Sequence, residues 1–310
     1  MSSNADKYFA YAGITTFLRS PHTREIGDAD IVVMGVPFDC GVSNRSGSRS
    51  GPQAIRKISL HTGNFHHPWP YDIQEKVKII DYGDVGMTIG ADVTGFMIEE
   101  TYQHAKKIFN SGANLLTLGG DHTIPYGLMR AAKEKYGTLA MIHFDSHQDT
   151  LSGENGKSIF HGTFAHDMAE EGVVDPTKST QVFIRTDMPK DFDYNIIYAK
   201  DALYKNPKEL AEQIIKNVDG LPVYITFDVD ALDPAYAPGT GTPVPGGPTS
   251  AYVRELLQYL DVLNVVAADI VEVAPQYDSG EITALAAGVL ACDLLHLIGN
   301  SKLRREAQEA

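Results

Sequence analysis

The sequence predicts an α/β protein built on a doubly wound, mostly parallel sheet of about eight strands. Three observations predict it. Apolar runs of strand length recur at 31–36, 77–81, 115–118, 139–144, 181–184, 196–199, 223–227 and 265–271. Many are continuously apolar rather than alternating, as in parallel strands buried on both faces. Stretches with helical spacing lie between them, and such alternation builds parallel sheets.

The elements follow in chain order. Residues 1–28 read as an N-terminal extension. Ile31, Val32 and Val33 open the first strand, and Ile79 and Ile80 centre the second. Phe96, Ile98, Ala105, Ile108 and Phe109 recur at helical spacing, so a helix covers 96–109. Leu115-Leu116-Thr117-Leu118 is a strand that stops at Gly119-Gly120. The runs at 139–144, 181–184 and 196–199 give three more. A helix over 210–218 then leads into the strand at 223–227. The Gly/Pro-rich stretch 238–248 is a structured loop. Its glycine spacing is wrong for a dinucleotide fingerprint, and Pro243 and Pro245 would obstruct the receiving helix. Thr249-Ser250 caps a helix over 252–260. After the last strand, 281–298 is rich in Ala and Leu and reads as a buried terminal helix. The charged tail, 300–310, reads as a frayed helix end or a partner contact. No internal repeat or long linker interrupts the chain, which is expected to be one domain over 1–310.

Composition narrows the partners. The chain has 310 residues, 43% hydrophobic and 21% charged, as in an ordinary globular protein. Its net charge of −14 opposes nucleic acid and anionic membrane, since both are polyanions. Cys40 and Cys292 lie far apart and read as reduced thiols. No leader-like h-region follows Met1, and no unbroken apolar run approaches 18 residues, so a cytoplasmic location is expected.

The chemistry gathers after three strands. Asp145-Ser146-His147-Gln148-Asp149 follows the run at 139–144, and alternation puts Asp145, His147 and Asp149 on one side. Asp228-Val229-Asp230 follows 223–227, and Gly119-Gly120-Asp121-His122 follows 115–118. Ligands of such sheets bind outside the carboxyl ends of the strands. Four carboxylates and two imidazoles there repel one another unless cations sit between them, and two divalent ions suit the count better than one. The donors are oxygen-rich with some imidazole and no thiolate. That excludes a structural zinc site and fits Mn²⁺ better than Mg²⁺. A single Asp at a strand end is more often a cap or loop residue, but three such motifs after three strands point to metal. His143 lies inside an apolar run and reads as a core or supporting histidine. His61, His66, His67, His104, His166 and His296 read as structural, and Asp233 before Pro234 as a turn residue.

At these residues the chain resembles the arginase–agmatinase family, the ureohydrolases. The resemblance is nearly full length. It includes Gly35-Val36-Pro37-Phe38-Asp39, the 49–56 segment, Gly119-Gly120-Asp121-His122, the 143–149 motif and His161-Gly162-Thr163. It continues through the 226–234 and 239–243 segments and Asp269-Ile270-Val271-Glu272-Val273-Ala274-Pro275. The resemblance implies a three-layer α/β/α sandwich, a homotrimer or homohexamer, and two Mn²⁺ ions. One ion is expected on His122, Asp145, Asp149 and Asp228, the other on Asp145, His147, Asp228 and Asp230. The family also implies that Glu272 receives a guanidinium, that Thr242 lies close to it, and that His161 works near the departing amine. The bland readings are a surface loop for His161 and a strand-end residue paired with a lysine for Glu272.

The implied reaction is hydrolysis of a guanidino group to urea and an amine. Two divalent ions lower the pKa of a bound water from about 15.7 toward neutrality. Asp149 is expected both to ligate and to hold the attacking water in line. Glu272 orients the guanidinium through charge-assisted bonds, and His161 supplies a proton. For the substrate, the Asn-Thr-Pro start of the arginase loop is missing after Asp149, which argues against arginine. The 278–287 segment resembles bacterial agmatinases. Glu154 is placed to pair with the ammonium of agmatine, whereas Lys157 suits the carboxylate of guanidinobutyrate or guanidinopropionate. The bland reading of both is a solvated loop residue, and it is the preferred one. Ser146 and Gln148 depart from the commoner small residues of the motif, and the spacing from Asp149 to His161 differs from other members. Agmatinase is the preferred reading, a guanidino-acid ureohydrolase the runner-up, and a non-catalytic metal-binding homologue the alternative from another class.

Overall fold

The computed structural model describes residues 12–62, 67–153, 157–188 and 192–309. Eight strands form one sheet: β1 (Ile31–Gly35), β2 (Ile79–Asp84), β3 (Asn114–Leu118), β4 (Ala140–Phe144), β5 (Thr180–Ile184), β6 (Asn195–Tyr198), β7 (Val223–Asp228) and β8 (Val265–Val271). Every neighbouring pair is parallel, in the order β2-β1-β3-β8-β7-β4-β5-β6. The helices are α1 (Gly51–Thr62), α2 (Val93–Asn110), α3 (Pro125–Tyr136), α4 (Phe164–Glu170), α5 (Ala199–Ala202), α6 (Pro207–Val218), α7 (Ser250–Tyr259) and α8 (Ile282–Glu309).

Alternate residues of each strand feed two separate cores, one on each face of the sheet. Ile31 and Val33 of β1 belong to one core, which also takes in Ile55 of α1, Ile214 of α6, Leu256 of α7 and Leu294 of α8. Val32 and Met34 face the other way, with Ile108 of α2, Leu128 of α3 and Met168 of α4. The result is the expected three-layer α/β/α sandwich. Continuous apolar strands are what two such cores require.

Helix starts follow ordinary capping chemistry. Thr249 accepts from the Tyr252 amide at 3.1 Å, as the sequence suggests. Asn206 and Glu209 form a reciprocal capping box at the start of α6. The C-terminal end differs from expectation. Instead of fraying after Asn300, α8 runs on to Glu309. Arg304 donates to the Leu263 carbonyl at 2.9 Å, and Arg305 donates to Asn264 at 2.7 Å and Asn114 at 2.8 Å. Its basic side chains face carbonyls and amides at the opening end of the sheet, which satisfies them within the chain. Helix α8 belongs to the one described segment long and apolar enough to cross a membrane, 279–308, with mean hydropathy 1.9. Its apolar window is 78% buried inside the protein, so it serves as a core helix.

Candidate metal centre

Four neighbouring strands at the middle of the sheet, β3-β8-β7-β4, deliver the candidate residues from their carboxyl ends. His122 follows β3, Glu272 follows β8, Asp228 and Asp230 follow β7, and Asp145, His147 and Asp149 follow β4. The sequence-predicted ligands thus meet at one place. Adjacent strands lie about 4.8 Å apart, so carboxylates from four of them share one small volume.

Two ligand groups result. His122, His143, Asp145 and Asp149 offer donor atoms within 4.8 Å of one another, as do Asp145, His147 and Asp230. Asp145 belongs to both. His122 Nδ1 lies 3.0 Å from Asp145, 3.2 Å from Asp149 and 3.3 Å from Asp228. Asp228 therefore joins the first group. His147 Nδ1 lies 3.3 Å from Asp145 and 3.2 Å from Asp230. All but His147 are buried.

The side chains fit divalent ions, and His122 carries the test. Thr226 Oγ1 donates to Asp269 at 2.6 Å, so it accepts from His122 Nε2–H at 2.8 Å. That places a proton on Nε2 and turns Nδ1 toward the carboxylates. Burial opposes charge on the ring, yet without an ion those carboxylates raise it well above its ordinary 6.5. A cation in place of the second proton leaves Nδ1 its lone pair. Tyr224 donates to the same Asp269 at 2.7 Å and completes the chain behind the imidazole. Nδ1, aimed at three carboxylates, is buried with no hydrogen-bond partner. A cation is what such a convergence of acceptors holds.

His143 behaves differently. Its Nδ1 accepts from Gln181 Nε2 at 3.0 Å, so its Nε2–H donates to Asp145 at 2.7 Å. It orients a ligand rather than offering a lone pair, in line with the sequence reading.

Crowding shows in the titration of the cluster. Burial, then Asp230 and Asp145, push Asp228 well above its ordinary value. Burial and Asp145 also raise Asp230. Burial works to raise Asp145 too, but His143 and His122 hold it well below the usual carboxylate range. Burial opposes charge on His147, yet Asp145 and Asp230 lift it to about 12. Divalent charge relieves this repulsion without borrowed protons.

The cluster floors a cavity of about 170 Å³, lined by Ser43, His147, Asp149, Phe160, His161 and Thr242 among others. That suits a small extended molecule, being below the ~300–1,000 Å³ of drug-sized sites. Glu272 Oε1 accepts from the His122 amide at 3.0 Å and from His161 Nδ1 at 3.0 Å, while the buried Oε2 has no partner. Its partner is thus a histidine, not a lysine. Burial opposes charge on His161, but Glu272, Asp149 and Asp121 raise it to about 9. Thr242 Oγ1 donates to Asp230 Oδ2 at 3.2 Å. Asp149 and Glu272 both have left-handed backbone, with φ of 50° and 67°. Such strain at non-glycine residues costs about 1–3 kcal/mol and collects at working sites. Glu154 lies outside the described residues, and Lys157 beside it is exposed.

The structure adds residues that sequence reasoning missed. Ser43 Oγ lies 2.7 Å from His161 Nε2. Arg185, just past β5, donates to the carbonyls of Asp230 at 2.6 Å, Ala231 at 3.1 Å, Leu232 at 3.1 Å and Val244 at 2.8 Å. It ties the Asp230 turn to the loop that carries Thr242. Asp121 accepts from the amides of Gly41 at 2.8 Å and Thr123 at 2.9 Å, and burial followed by Glu272 pushes it up to about 7. Among these only Asp121, next to a predicted ligand, stood in a motif the sequence singled out. His166, Asp167 and Glu170 make a third grouping on α4. There Asp167 already accepts from Tyr126 at 2.5 Å and from the Gly153 amide at 3.3 Å, which fits a structural role. Asp233 accepts from the Ala235 and Gly246 amides, as a turn residue should.

Comparison with known proteins follows the same residues. The model of the arginase family matches 29–296. An agmatinase from Chromobacterium violaceum is 43% identical over 295 residues, covering 94% of this chain and 91% of its own. An agmatinase from Neisseria meningitidis serogroup C is 44% identical over 276 residues, covering 88% of this chain and 89% of its own. The crystal structure of a hypothetical agmatinase from Burkholderia thailandensis has a TM-score of 0.90 and 42% identity, covering 96% of this chain and 93% of that one. Proclavaminate amidino hydrolase from Streptomyces clavuligerus has a TM-score of 0.88 and 34% identity, covering 94% and 99%. Since the matched stretch takes in all eight strands and every member of both ligand groups, the chain belongs to the arginase family.

Proposed function

We propose that this protein is an agmatinase, hydrolysing agmatine to putrescine and urea at a pair of Mn²⁺ ions. The observation that carries the reading is Asp145 shared between two adjacent ligand groups whose His147 and Asp149 line a cavity together with His161, the partner of a Glu272 whose Oε2 is buried and unpartnered. The first ion is assigned to His122, Asp145, Asp149 and Asp228. The second is assigned to Asp145, His147, Asp228 and Asp230. When bound, the ions supply Lewis acidity that readies water at neutral pH.

The chain's own groups do the rest. Glu272 takes the guanidinium N–H groups as charge-assisted donors, with Thr242 alongside. Asp149 accepts a hydrogen bond from the attacking water and fixes its line of approach. His161, held charged by Glu272, supplies the proton that the departing amine needs. The agmatinase relatives at 43% and 44% identity support agmatine as substrate.

A guanidino acid is the second reading, favoured by the exposed Lys157 in the segment between Asp149 and His161 and by likeness to proclavaminate amidino hydrolase. Urea release from agmatine, arginine and 4-guanidinobutyrate by the Mn²⁺-loaded chain separates the readings. Agmatine should give the highest kcat/KM. A higher value on 4-guanidinobutyrate replaces the first reading with the second. No urea from any guanidino compound means a metal-binding homologue without this chemistry.

A further inference from the structure

Neither ring nitrogen of His161 is bare. Nδ1 lies 3.0 Å from Glu272 Oε1. Nε2 lies 2.7 Å from Ser43 Oγ and 3.1 Å from the Ser43 amide. A proton leaving Nε2 therefore meets the Ser43 hydroxyl first. Ser43 is exposed and lines the same cavity as Asp149, Asp228 and Thr242. Its turn is fastened on three sides. Asp121 accepts the Gly41 amide at 2.8 Å, the His161 amide donates to the Gly41 carbonyl at 3.1 Å, and Asn44 Nδ2 donates to the Gly241 carbonyl at 3.0 Å. The hydroxyl is thus held between the imidazole and the space where substrate lies.

We propose that Ser43 is a further catalytic residue, the last carrier of the proton that releases the amine. The proposal rests on the ureohydrolase reading above. In the step, the carbon–nitrogen bond to the departing amine breaks and its electron pair stays on nitrogen. The Oγ–H proton forms the new N–H bond, and Nε2–H of the charged imidazole restores the hydroxyl. Two proton hops give a net transfer of one proton from His161 to the amine. His161 ends neutral, the serine hydroxyl is regenerated, and no oxidant or reductant takes part. The charged ring donates Nε2–H to the hydroxyl, and the Ser43 amide N–H, which donates to Nε2 at 3.1 Å, favours the neutral ring that the step leaves behind. The charged groups facing the ring are Glu272 beyond β8, Asp149 beyond β4 and Asp121 beyond β3. Glu272 takes Nδ1, and the hydrogen bonds at Nε2 are those of Ser43, so the hydroxyl is its outlet.

The test compares Ser43→Ala, Ser43→Thr and wild type, each Mn²⁺-loaded, on two substrates. One is agmatine. The other is its oxyguanidine analogue, whose departing alkoxyamine is weakly basic and leaves with little acid help. For Ser43→Ala, kcat on agmatine should fall about 10²-fold or more, the size of a lost general-acid contribution. KM should stay within about threefold, which marks a loss confined to the transition state. The loss on the oxyguanidine should be much smaller, Ser43→Thr should recover most of the agmatine rate, and manganese per chain should match wild type. The proposal is overturned if Ser43→Ala keeps kcat within about threefold of wild type, or loses equally on both substrates. Wild type that frees urea while Ser43→Ala is unimpaired removes only the relay. Wild type that frees none removes the functional reading and the relay with it.

Discussion

Truncating Asp230 leaves the second ion with Asp145, His147 and Asp228 of its assigned ligands, and strips Ser146 of the carboxylate its amide and hydroxyl donate to at 3.1 and 2.7 Å. Asp230→Ala should bind one ion instead of two, read by elemental analysis, and lose nearly all turnover. Full metal with retained turnover refutes the assignment. At His161 the prediction concerns pH. Its folded value of about 9 exceeds its ordinary 6.5, so the stability it contributes is complete below 6.5 and is lost as pH rises through about 9. The gap in Tm between metal-free wild type and His161→Asn should therefore close across that window. A gap that widens with rising pH contradicts the charged pairing with Glu272. The ligand groups were legible in the sequence because each set directly follows an apolar run. The alternation expected over 145–149 is not what gathers them, since the chain bends after β4, Asp149 has left-handed backbone and Asp230 sits in a short 3-10 helix at 229–231. Ser43 was not legible, because its partner His161 is 118 residues away and only the fold brings the two together.

At the scale of elements, Arg185 acts as a clamp. It spans from the end of β5 to the turn after β7 and the loop at Val244, through carbonyls rather than a carboxylate. Burial lowers its pKa, yet the forked guanidinium still serves several acceptors at once. Lysine has no such fork. Arg185→Lys should loosen the Asp230 turn, so that manganese bound per chain falls toward one while Tm drops. Unchanged metal content in a folded variant refutes the clamp. The six inner strands were legible because burial on both faces leaves continuous apolar runs, whereas the partly exposed edge strands β2 and β6 showed only as short Ile-rich runs. Helices α1, α3, α4 and α5 were not read from the sequence, the last two being only seven and four residues long. Helix α1 opens on Gly51-Pro52, α3 opens on Pro125, and Gly127 interrupts the periodic pattern, so their first turns carry breaker residues. Gly127 is tolerated because it sits against the Ile98 carbonyl of α2, where an added Cβ would come within 2.5 Å. That is a packing requirement between helices, and it has no signature within α3 itself.

Across the whole molecule, the centre is a concentration of negative charge in a protein already at −14. Stripping the ions returns that repulsion to the middle of the sheet, where β3, β8, β7 and β4 meet. Chelation should therefore lower Tm, and Mn²⁺ should restore it in proportion to the logarithm of its free concentration. At a hundredfold excess over Kd the gain for one site is about 2.7 kcal/mol. A melting curve indifferent to chelator and to Mn²⁺ places no ion at this centre.

The chain of hydroxyls behind His122 starts at Tyr224 and Asp269, inside the sheet and wholly out of reach of solvent. Selection for turnover therefore extends to side chains that never meet a reactant. Tyr224, Thr226 and Asp269 should resist the apolar replacements that neighbouring interior positions accept, and engineering for heat tolerance there would sacrifice metal affinity before foldedness.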